Sequence, residues 1–520
     1  MPQTAPTIAP TSPPVLRGVA AAALLIAIGN SASRLLGLVR EPTMAFYFGR
    51  GVAVDAFQIA WTVPSTVYDM LIAGAVSAAL VPVFSEYAEG DRDEFWLVVS
   101  GVLSIVLAAL TALTALAVWQ APLLVAALTR PEQAELRALA MPLMRLLMPA
   151  VVLMGLSGLA TAVLHAQRRF LLPAFTMVTF NAGMILGIVL LHERLGIYSL
   201  GAGALLGALG QVAVQLPGLR GARPRFGLRR GHPAVGRIVR LYGPVALGIG
   251  FSIIGTLIDR WLASGYPAAL GTMRYATTLI QFPLGLVASA VALAVLPTLS
   301  RQSAAADEAS FRATLAMGLK VVLLLILPAT AGLAALAEPL TGLLFERGAF
   351  TAQDTAITAL ALGCYLPGLP AAALDQVLIF AFYARKNTLT PNLIQGAAIG
   401  CYLLATLPLL WFTHLGFLAL VLGNAAQWVG HALITYALLA RAVPLRGLRL
   451  GEATVKGLVA AGLMGGVVFG VALLGAALPT LPRVALAGGV GALSYLGLSA
   501  ALRIEALGFF LGAIRGRLRR

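Results

Sequence analysis

The amino-acid sequence predicts an all-α polytopic membrane protein with about 14 transmembrane helices, arranged as two six-helix lobes related by a parallel repeat plus two C-terminal helices. Three observations predict this fold class: an apolar composition, a series of long apolar segments and an internal repeat. Of the 520 residues, 59% are hydrophobic and only 11% are charged, whereas soluble domains have about 25% charged residues. The composition therefore excludes a soluble enzyme, a disordered protein and a disulfide scaffold.

Apolar segments long enough to cross a bilayer occur along the whole chain. A membrane-spanning helix needs about 20 mostly apolar residues. On this criterion we predict spans at residues 17–47, 54–86, 95–126, 137–165, 172–192, 197–218, 236–264, 270–300, 310–337, 353–384, 390–412, 415–441, 452–477 and 483–504. Residues 1–16 are rich in Pro and Thr and are predicted to form a disordered cytoplasmic tail. Because no convincing cleavage site follows, we expect the first helix to be retained.

Three pairs of similar segments indicate an internal repeat. They surround Pro82 and Pro297, Pro122 and Pro339, and Pro173 and Pro391. The spacing within the pairs is nearly constant, which predicts an N-terminal lobe at 17–220, a basic cytoplasmic loop at 221–235 and a C-terminal lobe at 236–441. Residues 442–520 then form two further helices and a basic tail. Parallel repeats of this kind are a known transporter plan, with a cavity between the lobes.

The positive charge of the chain predicts its orientation rather than a nucleic-acid partner. The net charge is +16, and cytoplasmic loops of membrane proteins carry an excess of Lys and Arg. The loop at 218–235 has no acidic residue and contains Arg220, Arg223, Arg225, Arg229 and Arg230. We therefore expect both termini to be cytoplasmic and expect no nucleic-acid partner.

Charged residues inside the predicted spans are functional candidates, because a charge at bilayer depth is costly. They are Arg34, Arg40, Glu41, Asp55, Asp69, Arg145, Asp259, Arg260, Arg274, Lys320 and Asp375. A guanidinium group matches phosphate with two hydrogen bonds, so the arginines could line one cavity and bind a phosphate or pyrophosphate. For Arg34 and Arg40 a second interpretation stays open, an ion pair with Glu41 or Asp55 that locks helix packing.

Other charged and small residues have simpler interpretations. We expect Asp259 and Arg260 to form a pair at the membrane interface, and Asp375 to make either a packing hydrogen bond or an ion-coupling site. Glycines at 201–211 (GAGALLGALGQ) are predicted to allow close helix contacts. No protease, hydrolase or P-loop motif is present in the sequence, so we predict a transporter rather than an enzyme.

Residues 33–87, which begin SRLLGLVREP, resemble the MurJ/MviN family, the lipid II flippases of the multidrug/oligosaccharidyl-lipid/polysaccharide exporter superfamily. Further similarity lies in HAQRRFLLPAF (165–175), LFERGAFTAQDT (344–355) and FYARKNTLTP (382–391). The resemblance implies fourteen helices in two lobes, a central cationic cavity and a lipid-tail groove at the last two helices. It also implies a multi-pass location in the bacterial inner membrane.

The resemblance implies substrate-binding roles for several residues of the first two helices. Arg34 and Arg40 match the two arginines of the family's first helix. Asp55 matches the acid of the family's TDAF-like segment, and Glu41 stands where many members have Asp. We therefore expect these four residues to belong to the substrate site.

The sequence departs from the family at two of the usual cavity cations. The second-helix arginine of many members is replaced around Tyr68 and Asp69. In the eighth helix, YATTLIQFP has Thr278 in place of the usual Arg and Gln281 in place of the usual Glu. Arg274 lies four residues before Thr278 and on the same helical face, so we hypothesise that it supplies the missing charge. These five positions complete the predicted substrate site.

The resemblance implies that lipid II moves from the inner to the outer leaflet by alternating access, with no cofactor and with the coupling ion, Na⁺ or H⁺, left open. The implied partners are lipid II or a related polyprenyl-pyrophosphate glycolipid, membrane lipids and cell-wall synthesis proteins. We retain two alternatives to the lipid II flippase function. One is export of another polyprenyl-linked glycan or amphipathic molecule, and the other is a non-transporting scaffold for cell-wall enzymes.

The Arg274 hypothesis predicts that Arg274→Ala lowers transport, because the substrate anion loses a guanidinium contact. The measurement is a complementation assay that compares the variant with the wild-type chain at equal expression. Transport by Arg274→Ala at the wild-type level would overturn the hypothesis.

Overall fold

The computed structural model describes residues 13–70, 76, 79–222, 233–444, 447–509 and 512, and in these ranges every regular element is a helix. The first half of the chain forms α1 (Pro13–Phe48), α2 (Val52–Asp69), α3 (Val81–Ala88), α4 (Arg92–Trp119), α5 (Ala121–Leu128), α6 (Ala134–Leu147), α7 (Pro149–Ala166), α8 (Leu171–Ala174), α9 (Thr176–Leu195) and α10 (Tyr198–Ala213). The second half forms α11 (Pro233–Ala263), α12 (Ala269–Pro283), α13 (Ser289–Ala304), α14 (Glu308–Ala335), α15 (Ala337–Phe345), α16 (Ala352–Tyr365), α17 (Leu369–Ala384), α18 (Leu389–Phe412), α19 (Leu418–Ala442), α20 (Leu450–Leu474) and α21 (Thr480–Ala501). Most of the predicted tail 1–16 and of the predicted basic loop 221–235, including Arg223, Arg225, Arg229 and Arg230, lies outside the described residues.

The described ranges contain 11 segments that are long and apolar enough to cross a membrane. Each of them overlaps one of the predicted spans from the third to the sixth and from the eighth to the fourteenth. The other predicted spans fall on α1, on α2 with α3 and on α11, where part of the chain or of its side chains lies outside the described residues. The prediction of an all-α polytopic membrane protein is confirmed.

Large apolar side chains face outward on many of these helices. Leu474 is 90% exposed, Phe412 83% and Leu404 78%. Such exposure would be costly in water, since burial of apolar surface is the main force of folding. It is expected of helices whose outer surface lies in lipid.

Prolines and polar residues interrupt several of the predicted spans. The span predicted at 95–126 is divided at Gln120 into α4 and α5, and the span at 270–300 contains a π-helical turn, Leu284–Ala288, directly after Pro283. Proline lacks the N–H that the preceding turn needs, and π-helical turns are frequent at functional sites. The continuous apolar runs of the sequence are therefore not continuous α-helices.

The chain divides into two compact units, which are described separately. Unit 1 contains residues 1–43, 60–121 and 142–245, and unit 2 contains residues 44–59, 122–141 and 246–520. These units and the predicted lobes are different divisions of the chain, and the predicted lobe boundaries stay a prediction.

Each unit has its own packed core. In unit 1, the buried side chains of Phe84, Phe95 and Trp96 belong to a hydrophobic cluster formed mainly by α3, α4 and α7. In unit 2, the rings of Tyr275, Phe345 and Phe350 lie with their centroids 5.2 to 5.8 Å apart. Aromatic pairs at such distances add stability beyond the area that they bury.

Glycines bring α9 and α10 into backbone contact in unit 1. A Cβ atom on Gly183 would lie 2.3 Å from the backbone nitrogen of Gly207, and a Cβ atom on Gly187 would lie 2.2 Å from Cα of Gly203. No side chain fits in either gap. The close helix contacts predicted for residues 201–211 are therefore confirmed, and they follow the small-residue packing of membrane helices.

This contact predicts that Gly187→Ala destabilises the protein, because overpacking a tight contact costs about 1–3 kcal/mol. The measurement is thermal unfolding of the purified protein in detergent. Gly488→Ala on α21 is the matched control, since its new Cβ atom would have nothing within 4 Å and alanine favours helix formation. Equal unfolding temperatures for the two variants would contradict the proposed packing.

Candidate functional site

Arg40 makes two hydrogen bonds in unit 1, one within α1 and one that joins α1 to α9. Its Nη1 donates to Oδ1 of Asn181 at 3.0 Å, and its Nη2 donates to Oε1 of Glu41 at 2.5 Å. Nδ2 of Asn181 in turn donates to the carbonyl oxygen of Ser33 at 3.1 Å. The Glu41 side chain is only 3% exposed, so its charge needs this partner. The ion pair with Glu41 that the sequence left open is present, and binding of an anion by Arg40 stays a prediction.

Arg34 differs from Arg40 in both exposure and partners. Its side chain is exposed on α1, and it makes no hydrogen bond or ion pair with the residues that the structure describes. Within the same described part of the chain, Arg145 on α6 is also exposed and without such a partner. A guanidinium at membrane depth requires water, a polar group or an anion nearby. Within its predicted membrane spans, unit 1 therefore presents at least two cations, Arg34 and Arg145, whose charge its described side chains do not neutralise.

Tyr68 and Asp69, the positions of the missing second-helix arginine, end α2. The Tyr68 hydroxyl donates to Sδ of Met177 on α9 at 3.2 Å, which ties the end of α2 to α9 within unit 1. Asp69 is exposed. A role of either residue in binding substrate stays a prediction.

Asp55 is buried in unit 2, where it caps α12. Its side chain is among the most buried polar groups, and Oδ1 accepts a hydrogen bond from the backbone N–H of Gly271 at 2.7 Å. Gly271 lies in the first turn of α12, where backbone N–H groups have no partner within the helix. A carboxylate at this end also stabilises the helix dipole. Asp55 thus positions the helix that carries Arg274, and its predicted contact with substrate stays untested.

Arg50 fixes the same segment of the chain to two other helices of unit 2. Its Nε donates to Oδ1 of Asp354 at 3.0 Å, and its Nη1 donates to Oγ1 of Thr272 at 3.0 Å. Asp354 also accepts from the backbone N–H of Thr351 in a capping box at the start of α16. One arginine therefore holds the beginnings of α12 and α16 together.

A cavity of about 330 Å³ lies along α12 in unit 2. Arg274 and Gln281 line it, as do Asp259 and Arg260 of α11 and Asn424 of α19. These residues come from distant parts of the sequence, and together they give the cavity two guanidinium groups and one carboxylate. Such a donor set suits a phosphate or carboxylate anion.

Thr278 does not line this cavity. Its hydroxyl donates to the carbonyl oxygen of Arg274 at 2.9 Å, a bond within one turn of α12. Of the three α12 residues that the sequence singled out, the structure brings Arg274 and Gln281 to the cavity and leaves Thr278 beside them on the helix.

The predicted pair of Asp259 with Arg260 is wrong. Oδ1 of Asp259 accepts from the Tyr402 hydroxyl at 2.9 Å and from Nδ2 of Asn424 at 3.0 Å. Among the described residues, no hydrogen bond or ion pair joins this carboxylate to Arg260. Nε of Arg260 is buried and has no hydrogen-bond partner among the described residues. Arg260 is therefore a cavity cation that needs an acceptor.

Asp375 has a specific partner in unit 2. Its Oδ2 lies 2.8 Å from Nδ1 of His431, and the hydroxyl of Thr435 lies 3.2 Å from the same ring nitrogen. Of the two roles predicted for Asp375, a packing hydrogen bond or an ion-coupling site, the structure contains the hydrogen bond. A coupling role stays a prediction. In the described part of the chain, no group of three or more His, Cys, Asp or Glu residues could hold a metal ion.

Comparison with known proteins gives the family of the chain. The family model described as "Lipid II flippase MurJ" matches residues 44–479. The protein of Burkholderia cenocepacia named "Lipid II flippase MurJ" is 32% identical over 373 residues, which is 69% of this chain and 72% of that protein. The chain belongs to the MurJ family. All the residues of unit 2 that line the α12 cavity lie within the matched range.

Solved structures agree with this assignment at the level of the fold. A structure titled "Lipid II flippase MurJ, inward closed conformation" superposes with a TM-score of 0.79 at 24% identity and covers 92% of this chain and 98% of that chain. An inward-facing multidrug resistance MATE family transporter of the MOP superfamily superposes with a TM-score of 0.66 at 13% identity, covering 81% and 95% of the two chains. The predicted membership of the MurJ family is confirmed by the family model and by the Burkholderia relative, and the solved structures show that the fold is shared.

Sequence reasoning missed several residues that shape the two sites. Asn181 and Asn424 each bind a charged residue, and the available signal was a lone amide within an apolar span. Arg50 stands between two glycines in the segment that carries the resemblance. It lies outside the predicted spans, so the criterion of charge at bilayer depth does not select it.

The Asp55 cap predicts that Asp55→Ala destabilises the protein by about 0.5–2 kcal/mol, the usual effect of removing a helix cap. Asp55→Asn keeps an acceptor oxygen and should unfold close to the wild-type temperature. Thermal unfolding of both purified variants measures this difference. If Asp55→Asn were as unstable as Asp55→Ala, the negative charge rather than the cap would be the stabilising feature.

Proposed function

We propose that the protein is a lipid II flippase of the bacterial inner membrane, which moves the polyprenyl-pyrophosphate glycopeptide from the inner to the outer leaflet. The observation that carries this proposal is the family match over residues 44–479. The relative from Burkholderia cenocepacia carries the same functional name and is similar over most of both chains.

The charges of the described residues support an anionic cargo. Arg34 and Arg145 are exposed at membrane depth without a described partner, and Arg260 has a buried Nε that lacks an acceptor. A pyrophosphate offers acceptor oxygens that match guanidinium groups. Arg274 and Gln281 line the cavity beside Arg260, and we infer that Arg274 and Arg260 together replace the cation that is absent at Thr278.

The negative charge of the proposed cargo also indicates how its transport could be driven. Moving a negative head group outward is favoured by an inside-negative membrane potential, by about 2.3 kcal/mol per charge per 100 mV. Coupling to Na⁺ or H⁺ is the alternative. The predicted mode of movement is alternating access, with the sugars and peptide in a wet cavity and the polyprenyl tail in lipid.

A second candidate keeps the fold and changes the cargo to another polyprenyl-linked glycan. The observation that favours it is the replacement of the usual eighth-helix Arg and Glu by Thr278 and Gln281. Binding of the purified protein to a series of polyprenyl-pyrophosphate glycans separates the two cargoes, because the true substrate should compete against the others.

The flippase proposal predicts that the wild-type chain restores growth to a MurJ-depleted bacterium and that Arg34→Ala does not. Loss of one charged hydrogen-bond partner costs about 1.5–3 kcal/mol, which corresponds to a loss of transport of about tenfold or more. Arg194→Ala is the matched control, since Arg194 is also exposed but lies in the last turn of α9.

Two results would contradict the proposal. If the wild-type chain were well expressed in the membrane and failed to restore growth, lipid II would not be its cargo. If Arg34→Ala and Arg194→Ala restored growth equally well, the scaffold alternative would be favoured over transport.

A further inference from the structure

A second cavity, of about 570 Å³, lies at the helix ends of unit 1, and none of the predicted substrate-site residues lines it. It opens between the beginning of α4, the end of α7 and the short 3₁₀ helix Leu216–Leu219 that follows α10. Its charged lining residues are Glu89, Arg92, Arg168, Arg169 and Arg220. Four arginines against one glutamate give the cavity a strongly positive charge.

The floor of this cavity is part of the rigid core of unit 1. Phe95 and Trp96 line it and are only 3% and 7% exposed, because both belong to the hydrophobic cluster around α4. Their rings pack at 5.1 Å. The cavity is therefore shaped by packed side chains rather than by loops alone, and a rigid floor lowers the entropy lost on binding.

Specific contacts direct two of the guanidinium groups toward the same segment, the one that carries Arg220. Nη1 of Arg169 donates to the carbonyl oxygen of Gly218 at 2.6 Å, which ties the end of α7 to the 3₁₀ helix. Nη2 of Arg92 lies 3.4 Å from the position that a Cβ atom on Gly221 would take, so it reaches the residue after Arg220. Three separate loop segments thus bring their positive charges to one place.

Arg168 holds its position with a left-handed backbone, φ +59°. A left-handed residue commonly ends a helix, and here it closes α7, since the backbone N–H of Arg169 donates to the carbonyl oxygen of Leu164 at 2.8 Å. The ion pair of Arg168 with Glu89, at 3.1 Å, joins side chains that are 82% and 73% exposed. Exposed pairs contribute little stability, so Arg168 can exchange Glu89 for a stronger acceptor.

We propose that this arginine cavity binds a phosphate-bearing anion. A cleft lined by charges of one sign concentrates the electric field and attracts the opposite charge, and guanidinium groups bind phosphate oxygens in pairs. The cavity lies at ends of helices where the sequence predicts cytoplasmic loops. Basic pockets in that position bind anionic lipid head groups, and a free phosphate offers the same oxygens.

The test uses the purified full-length protein and measures retention of phosphatidylglycerol by native mass spectrometry. The double variant Arg92→Gln/Arg220→Gln should bind this lipid at least tenfold more weakly, since each substitution removes a guanidinium group that would make a charge-assisted contact with the phosphate. The matched control Arg194→Gln/Arg301→Gln removes the same charge from exposed positions outside the cavity. Arg92→Lys/Arg220→Lys keeps the charge and should retain part of the binding.

A second arm distinguishes the two sources of phosphate. Displacement of the lipid from the wild-type protein by inorganic phosphate would assign the cavity to free phosphate, whereas retention against excess phosphate would assign it to a lipid head group. Equal lipid retention by the cavity variant and the wild type, or an equal loss in the control, would overturn the proposal. Because the readout is anion binding, this result is independent of whether the chain restores growth as a flippase.

Discussion

The interaction on which unit 2 depends is the hydrogen bond from the backbone N–H of Gly271 to the buried carboxylate of Asp55. It pairs an N–H group at the buried start of α12, which has no partner within the helix, with a charge that would otherwise be costly to bury. The contacts of Arg50 with Thr272 and Asp354 lie close by and act on the same helix end. Because α12 carries Arg274 and Gln281, the direction in which these side chains point follows from how its first turn is held.

The two helix-1 arginines show how the same residue type can have different roles within seven residues. Arg40 is neutralised by Glu41 and held by Asn181, so its position is fixed by the protein itself. Arg34 has no such partner among the described residues. A charged side chain without a partner in the fold is available to a ligand. The presence or absence of such a partner therefore distinguishes a packing role from a binding role, even for two arginines on the same helix.

The sequence was sufficient to predict the fold class, because the periodicity and length of apolar segments depend on the bilayer rather than on tertiary contacts. It also predicted the close packing at residues 201–211, since only glycine allows backbones to approach so closely. The partners of charged residues were harder to predict. Asn181 lies 141 residues from Arg40, and Tyr402 and Asn424 are just as remote from Asp259. Adjacency in sequence suggested Arg260 for Asp259, but the carboxylate of Asp259 accepts from these two remote residues instead.

Unit 2 combines segments that are far apart in the sequence, and this has a consequence for the order in which the protein folds during synthesis. Residues 44–59 belong to this unit, yet the Asp354 that Arg50 binds follows 304 residues later. The ribosome must therefore complete most of the chain before this early segment can reach its final contacts. Contacts of such high sequence separation slow folding. Residues 44–59 therefore lack this contact until α16 has been synthesised and inserted into the membrane.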